Sequence, residues 1–337
     1  MTTWNAANTR YPKPFVELRT GLPYANLIAK QGVFAEAVGR YFKIDAGFVL
    51  PTPGTTGAIE AVRNHAMRTS GRRRPRALTV SPGYWRARES FQGLGFEITD
   101  IATRRGNFSI DESELLRVAA EQTPDLLYLS LPNNPTGAVF DPESLILGMP
   151  EETILAFDLT LPSRGLDTRA MVEDLHARYH GRRNLFFIGS TSKSHGTAEQ
   201  RIGWAVCASA DDADTLRKEN RNVVSTAAVD EGVRCLQTPP PVMEKLDESF
   251  SLLKEGERAA AFRLVSPPRS VDSVYVLVEH HVPPLELRRV FEEEGIRVMW
   301  GSEFGLTDDY IRLETLVPSN IMTFVETING CYENAAA

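Results

Sequence analysis

Lys193 stands in Ser190-Thr191-Ser192-Lys193, just after the apolar run 184–189, and Arg201 follows at the head of a second β-type run. A lysine held between two such runs and flanked by hydroxyls suits an amine that forms imines with carbonyl compounds. A solvated loop lysine is the ordinary reading of any single Ser-Lys pair. Two groupings upstream, in a fixed order, favour the chemical one. Asn133-Asn134-Pro135-Thr136-Gly137 follows the apolar run 126–131, and its Pro and Gly set a turn that aims the Asn134 amide at a ring hydroxyl or phenolate. Asp158 ends the apolar run 153–157, where a carboxylate is costly unless paired. A protonated pyridine nitrogen is a natural partner, and the pair would keep that ring an electron sink. A turn cap is the competing reading for Asp158.

An anion site is the second element of chemistry. Gly54, Thr55 and Thr56 lie in Pro53-Gly54-Thr55-Thr56-Gly57, between a strand-like and a helix-like run. Glycines admit close backbone approach, the helix start offers free N–H groups, and the threonines add hydroxyl donors. A plain helix cap explains the same residues. Ser190 and Ser192 add hydroxyls, and Arg201 could grip a phosphate with two parallel bonds. Tyr84, after the strand-like run 77–80, could stack on a planar ring. Arg312, on the strand-like run 310–314, suits a carboxylate clamp. Its alternative is a surface salt bridge, with Glu314 as a same-face neighbour. His195 is read as shaping its turn, and Glu279-His280-His281 as an exposed strand end.

Positioning such residues requires strands that end together. From residue 47 onward, short apolar runs (48–50, 77–80, 96–101, 126–131, 153–157, 185–188, 202–207) are interleaved with helical patterns at 54–68, 84–94 and 111–121. That alternation predicts a three-layer α/β/α fold with a mostly parallel sheet, whose ligands bind at the carboxyl ends of the strands. After residue 225 the texture changes to a smaller α+β unit. The expected organisation is an N-terminal arm over 1–30, a large domain over 31–225 and a small domain over 226–337.

Composition narrows the class further. The chain has 337 residues and a formal net charge of −7, which argues against nucleic acid as a partner. Three scattered cysteines, no signal-peptide pattern and no long apolar stretch point to a reducing cytoplasm and no membrane span. No dinucleotide glycine fingerprint, nucleophile-elbow serine or zinc-protease motif is present.

In order and spacing, these motifs resemble the fold type I enzymes of pyridoxal 5′-phosphate (PLP), the aspartate aminotransferase superfamily, over roughly residues 20 to 315. The resemblance implies that Lys193 forms the internal aldimine and that Asp158 pairs with the pyridine nitrogen. Asn134 would meet the ring oxygen and the substrate, and Tyr84 would stack on the ring. Ser190 and Arg201, helped by Gly54, Thr55 and Thr56, would hold the phosphate, with Arg312 on the substrate carboxylate. It also implies a homodimer with shared sites, in which Tyr24 reaches a neighbouring subunit's phosphate. Residues 192–206 look like the alliinase and tryptophan-aminotransferase branch, and histidinol-phosphate aminotransferases are a second near relative. One departure is Leu161, where many relatives place a tyrosine that donates to the ring oxygen. The activity implied is transfer of the amino group of an L-amino acid to an oxo acid. A PLP-dependent lyase or cyclase is the alternative.

Overall fold

The computed structural model describes residues 24–104, 106–220 and 222–336, and the side chains of 24–29 and 334–336 lie outside the description. Most of the expected arm therefore falls outside the described residues. From Tyr24 the chain is already in helix α1 (Tyr24–Phe42), because the apolar pattern of residues 33–41 continues without a breaker.

The apolar runs become β1 (Val49–Thr52), β2 (Arg76–Ser81), β3 (Glu97–Ala102), β4 (Leu126–Ser130), β5 (Ile154–Asp158), β6 (Leu185–Ser190) and β7 (Gly203–Cys207). They form one seven-stranded sheet in the order β1-β7-β6-β5-β4-β2-β3. Only β7 runs against its neighbours, β1 and β6; the other pairings are parallel. The helices between them are α2 (Gly54–Thr69), α3 (Trp85–Gly93), α4 (Glu112–Gln122), α5 (Pro142–Gly148), α6 (Thr168–Arg178) and α7 (Ala210–Glu219), with α8 (Thr226–Leu236) after the last strand.

Alternate strand residues enter two different cores. Leu127, Leu129, Leu155, Phe157 and Phe187 pack with Phe34 of α1, Leu115 of α4, Leu145 of α5, Val172 of α6 and Val229 of α8. Leu126, Tyr128, Ile154, Ala156 and Phe186 face the other way, onto Ile59 of α2, Phe91 of α3 and Leu216 of α7. A strand buried on both faces has no polar side, which is why these runs read as continuously apolar.

A second, antiparallel sheet follows, with β8 (Phe262–Leu264), β9 (Tyr275–His280), β10 (Met299–Trp300) and β11 (Tyr310–Glu314) in the order β10-β11-β9-β8. Its core packs Val276, Val278, Ile311 and Leu313 against Phe250, Phe291 and Phe324, from α9 (Val242–Gly256), α10 (Pro284–Glu293) and α11 (Pro318–Ala336). With those residues turned inward, strand alternation places Tyr275, Arg312 and Glu314 on the opposite face. Isolated bridges Ala138–Ser270 and Ser163–Ser273 join the two sheets' regions, and Arg269 pairs with Glu112 across them at 2.9 Å.

One expectation needs correction, and one alternative falls away. His280 is not at an exposed strand end: it is 3% exposed, with Nδ1 and Nε2 bonded to the carbonyls of Val282 and Asp308. Glu314 does not pair with Arg312; it bonds Lys193. Cys207, Cys235 and Cys331 are free and buried. Among the described residues no helix is long and apolar enough to cross a membrane, and no cluster of metal-ligating side chains occurs.

Candidate active site

A cavity at the carboxyl ends of the central strands gathers Thr55 and Thr56 from the start of α2, Tyr84, Asn134, Asp158, and the β6–β7 connection with Ser190, Ser192, Lys193 and Arg201. Gly54 backs this cavity against Arg201. Arg312 reaches it from β11 through an adjoining cavity that shares Lys193 and Tyr275. Tyr24 opens α1, and its side chain lies outside the described residues.

At one end the donors converge. The N-cap of α2 is Pro53, which gives no side-chain cap, so that residue leaves the first N–H groups of the helix uncapped. The Thr55 hydroxyl donates to Ser190 Oγ at 3.0 Å and lies 2.7 Å from Thr160 Oγ1. Arg201 has a left-handed backbone (φ 53°), and among the described residues its guanidinium bonds only neutral groups: the carbonyls of Ala198 and Pro53 and the Thr56 hydroxyl. Gly54 sits at φ +71°, and a Cβ there would lie 2.8 Å from Arg201 Nη2. The glycine thus leaves room for a cation that has no carboxylate partner among the described residues. Such a corner fits a phosphate group.

The middle of the cavity holds the opposite charge. Asp158 is 6% exposed. Its Oδ2 accepts from the Tyr128 hydroxyl at 2.6 Å and its Oδ1 from the Thr160 N–H at 3.0 Å. No cation lies within ion-pair distance of it among the described residues. Burial pushes the carboxyl above its ordinary range, against the hydrogen bonds from Thr160 and Tyr128. A buried acid with two neutral donors and no counter-cation is complementary to a cationic ring nitrogen. Tyr84 lies beside it, its phenol pushed up by burial and by the Asp158 charge.

Lys193 lies between the two sheets. Its Nζ donates to Glu314 Oε1 at 2.7 Å and stands 5.1 Å from the centroid of the Tyr275 ring. Burial lowers its pKa, but Tyr275 and the Glu314 carboxylate outweigh burial and hold it above the usual lysine value. Arg312 stacks on the same ring at 4.1 Å and donates to Asn134 Oδ1 at 3.4 Å. It has no carboxylate partner among the described residues, and burial is the main force lowering its pKa. A half-buried guanidinium in this state fits an incoming carboxylate.

Sequence reading missed Tyr128, Thr160, Tyr275 and Glu314. Tyr128 and Thr160 carry a weak signal, since each sits within an element or turn already singled out. Tyr275 and Glu314 carry none, because their role depends on a contact made far along the chain.

On this sheet topology, a cavity that holds a guanidinium without a carboxylate partner, a buried acid without a counter-cation and a lysine amine among the described residues fits the fold type I PLP-dependent superfamily. Within that class the chain belongs to the family "Aminotransferase class I and II", matched over residues 28–328. It is 28% identical over 291 residues to the 3-methylarginine biosynthesis aminotransferase ArgM of Streptomyces arginensis, covering 74% of each chain. It is 25% identical over 264 residues to histidinol-phosphate aminotransferase of Symbiobacterium thermophilum, covering 76% of this chain and 69% of that one. The fold is similar to that of histidinol-phosphate aminotransferase from Sinorhizobium meliloti, solved in complex with PLP. The TM-score is 0.74 at 18% identity, over 89% of this chain and 82% of that one.

Proposed function

We propose that this protein is a PLP-dependent aminotransferase acting on an L-amino acid, with Lys193 as the residue that carries the cofactor and moves the α-proton. The observation that carries this reading is Asp158, a buried carboxylate without a cation partner among the described residues, in one cavity with Lys193 and the Arg201 corner. PLP, when bound, supplies an electron-poor ring that takes up the charge left as the α-proton departs. The chain's own residues do the rest. Asp158 holds a proton on the ring nitrogen. Arg201, Thr55, Thr56, Ser190 and Ser192 fix the phosphate, and Tyr84 covers a ring face. Arg312 binds the substrate carboxylate beside Asn134, which fixes the α-carbon next to Lys193. Lys193, once free, would accept the α-proton at Nζ and hand it to the carbon on the far side of the substrate nitrogen. A homodimer is part of the same proposal, read by light scattering on the full chain.

The test is a spectral titration with PLP followed by amino-donor assays. LL-diaminopimelate, which one relative is named for, heads the panel, and histidinol phosphate, which another is named for, serves as the donor without an α-carboxylate. Amino-group transfer to an oxo acid is expected. Release of ammonia without an oxo acid would instead identify a lyase and overturn the aminotransferase reading.

Two substitutions probe the ends of the cavity. Gly54→Ala forces a side chain into the left-handed region at about 1–2 kcal/mol and displaces the Arg201 guanidinium. Loss of that charge-assisted contact, about 1.5–3 kcal/mol, weakens PLP binding roughly 10- to 100-fold; equilibrium titration measures it. Arg312→Gln removes the clamp and raises KM for α-carboxylate substrates by about 10- to 100-fold. Amino donors without an α-carboxylate escape that effect in a steady-state comparison.

A further inference from the structure

We propose that Glu314 is a positioning residue for Lys193: its carboxylate holds the free amine in place and favours its protonated form. The inference rests on the reading that Lys193 is the reacting amine, and it adds a residue whose work is done through that amine.

The geometry comes from strand alternation and register. Arg312 and Glu314 are two residues apart on β11, on the face turned away from the core that takes Ile311 and Leu313. On β9, Tyr275 is the direct cross-strand partner of Glu314. One strand pair therefore presents a phenol, a guanidinium and a carboxylate to Lys193. These groups sort themselves. Arg312 lies over the Tyr275 ring and bonds Asn134, whereas Glu314 bonds Lys193 at 2.7 Å. Glu314 does not bond its same-strand neighbour Arg312, so the clamp stays available to a substrate while the lysine does not.

Charges around Lys193 come from both sheets. From the large sheet, Asp158, Tyr84 and Arg201 share its cavity. From the small sheet's side, Tyr275 faces both cavities and is the larger influence holding the Lys193 pKa up, and Glu294, Arg297, Glu303, Arg312 and Glu314 line the adjoining one. Among the described residues Glu314 is the carboxylate in hydrogen-bond contact with Nζ. When Lys193 takes up the α-proton, its lone pair becomes an N–H bond and the new ammonium meets a carboxylate already in place. When it attacks a carbonyl, the same carboxylate opposes loss of the proton that must leave first. Glu314 thus strengthens Lys193 as a base and restrains it as a nucleophile.

Competitive acetylation of the cofactor-free full chain, read by mass spectrometry across pH, tests this without turnover. The neutral amine is the form acetylated. The Lys193–Glu314 pair has side chains 25% and 46% exposed, so solvent screening keeps its strength in the range of exposed pairs. Glu314→Gln should raise the Lys193 labelling rate at neutral pH about two- to fivefold and move its titration to lower pH. Glu314→Asp should recover part of the wild-type value, and Glu294→Gln, on the same cavity wall, should match wild type. An unchanged Lys193 rate in Glu314→Gln overturns the proposal, as does an equal change in Glu294→Gln. Spectral titration of the same samples with PLP separates the two levels. A wild-type chain that forms no visible adduct sinks Lys193 as carrier, whatever the labelling shows. In turnover, Glu314→Gln should shift the acid limb of the kcat profile to lower pH with KM nearly unchanged.

Discussion

Lys193→Ala will fold, retain noncovalent PLP binding and lose amino-group transfer by about 10⁴-fold or more, since it removes both the covalent attachment and the general base. The large effect on rate comes with a small one on stability. The Lys193 side chain is 25% exposed, and its contacts are Glu314 and the Tyr275 ring. No core packing depends on it. The visible band of the PLP adduct should vanish, while the phosphate corner keeps its donors. Small primary amines added to the variant should restore a measurable fraction of the rate, which they would not do for a misfolded chain. Activity within tenfold of wild type would remove Lys193 from the chemistry.

How far the sequence speaks for itself differs between residues. Asp158, Ser190 and Lys193 were legible because each ends or follows an apolar run, and strands of one parallel sheet bring their ends to one edge. The helical pattern from 111 was legible, and the Asp111 carboxylate caps it by accepting from the Glu114 N–H at 3.2 Å. Helices α5, α6 and α7 were not expected. In α7 only Asp212, Ala213 and Leu216 are buried, too few apolar positions to give a helical period. In α6 the buried set is Val172, Leu175 and His176, and one of the three is polar. Strand β8 has three residues, shorter than any alternation can register. At the site, Glu314 read as a neighbour of Arg312 because local spacing is all a sequence shows. Its actual partner is 121 positions away, fixed by how the two sheets meet.

Asp158→Asn should lower kcat by about 10²–10³-fold, the usual scale for removing one preorganised electrostatic partner in a water-poor site, and weaken PLP binding. Folding should survive. The amide oxygen still accepts from the Thr160 N–H, and Tyr128 can turn its hydroxyl to accept from the amide. The stability of the cofactor-free chain should rise with this substitution above the carboxyl pKa of the unfolded chain. Burial holds the folded pKa of Asp158 above its ordinary value. A raised carboxyl pKa gives stability that is complete below the unfolded pKa and lost as pH climbs through the folded one. Asparagine does not ionise, so the variant escapes that loss. Added PLP should therefore stabilise the wild type much more than the variant in thermal unfolding, a reversal that a packing defect would not produce. Tyr128→Phe strips the donor from Oδ2, leaves the carboxylate harder to ionise, and should cost up to about tenfold in PLP affinity. In the double variant the Tyr128 effect should shrink, because its hydroxyl acts through the charge that asparagine has already removed. Full additivity would mean that Tyr128 serves the fold and not the acid, and undiminished PLP affinity in Asp158→Asn would mean that the buried carboxylate is not the cofactor's counter-ion.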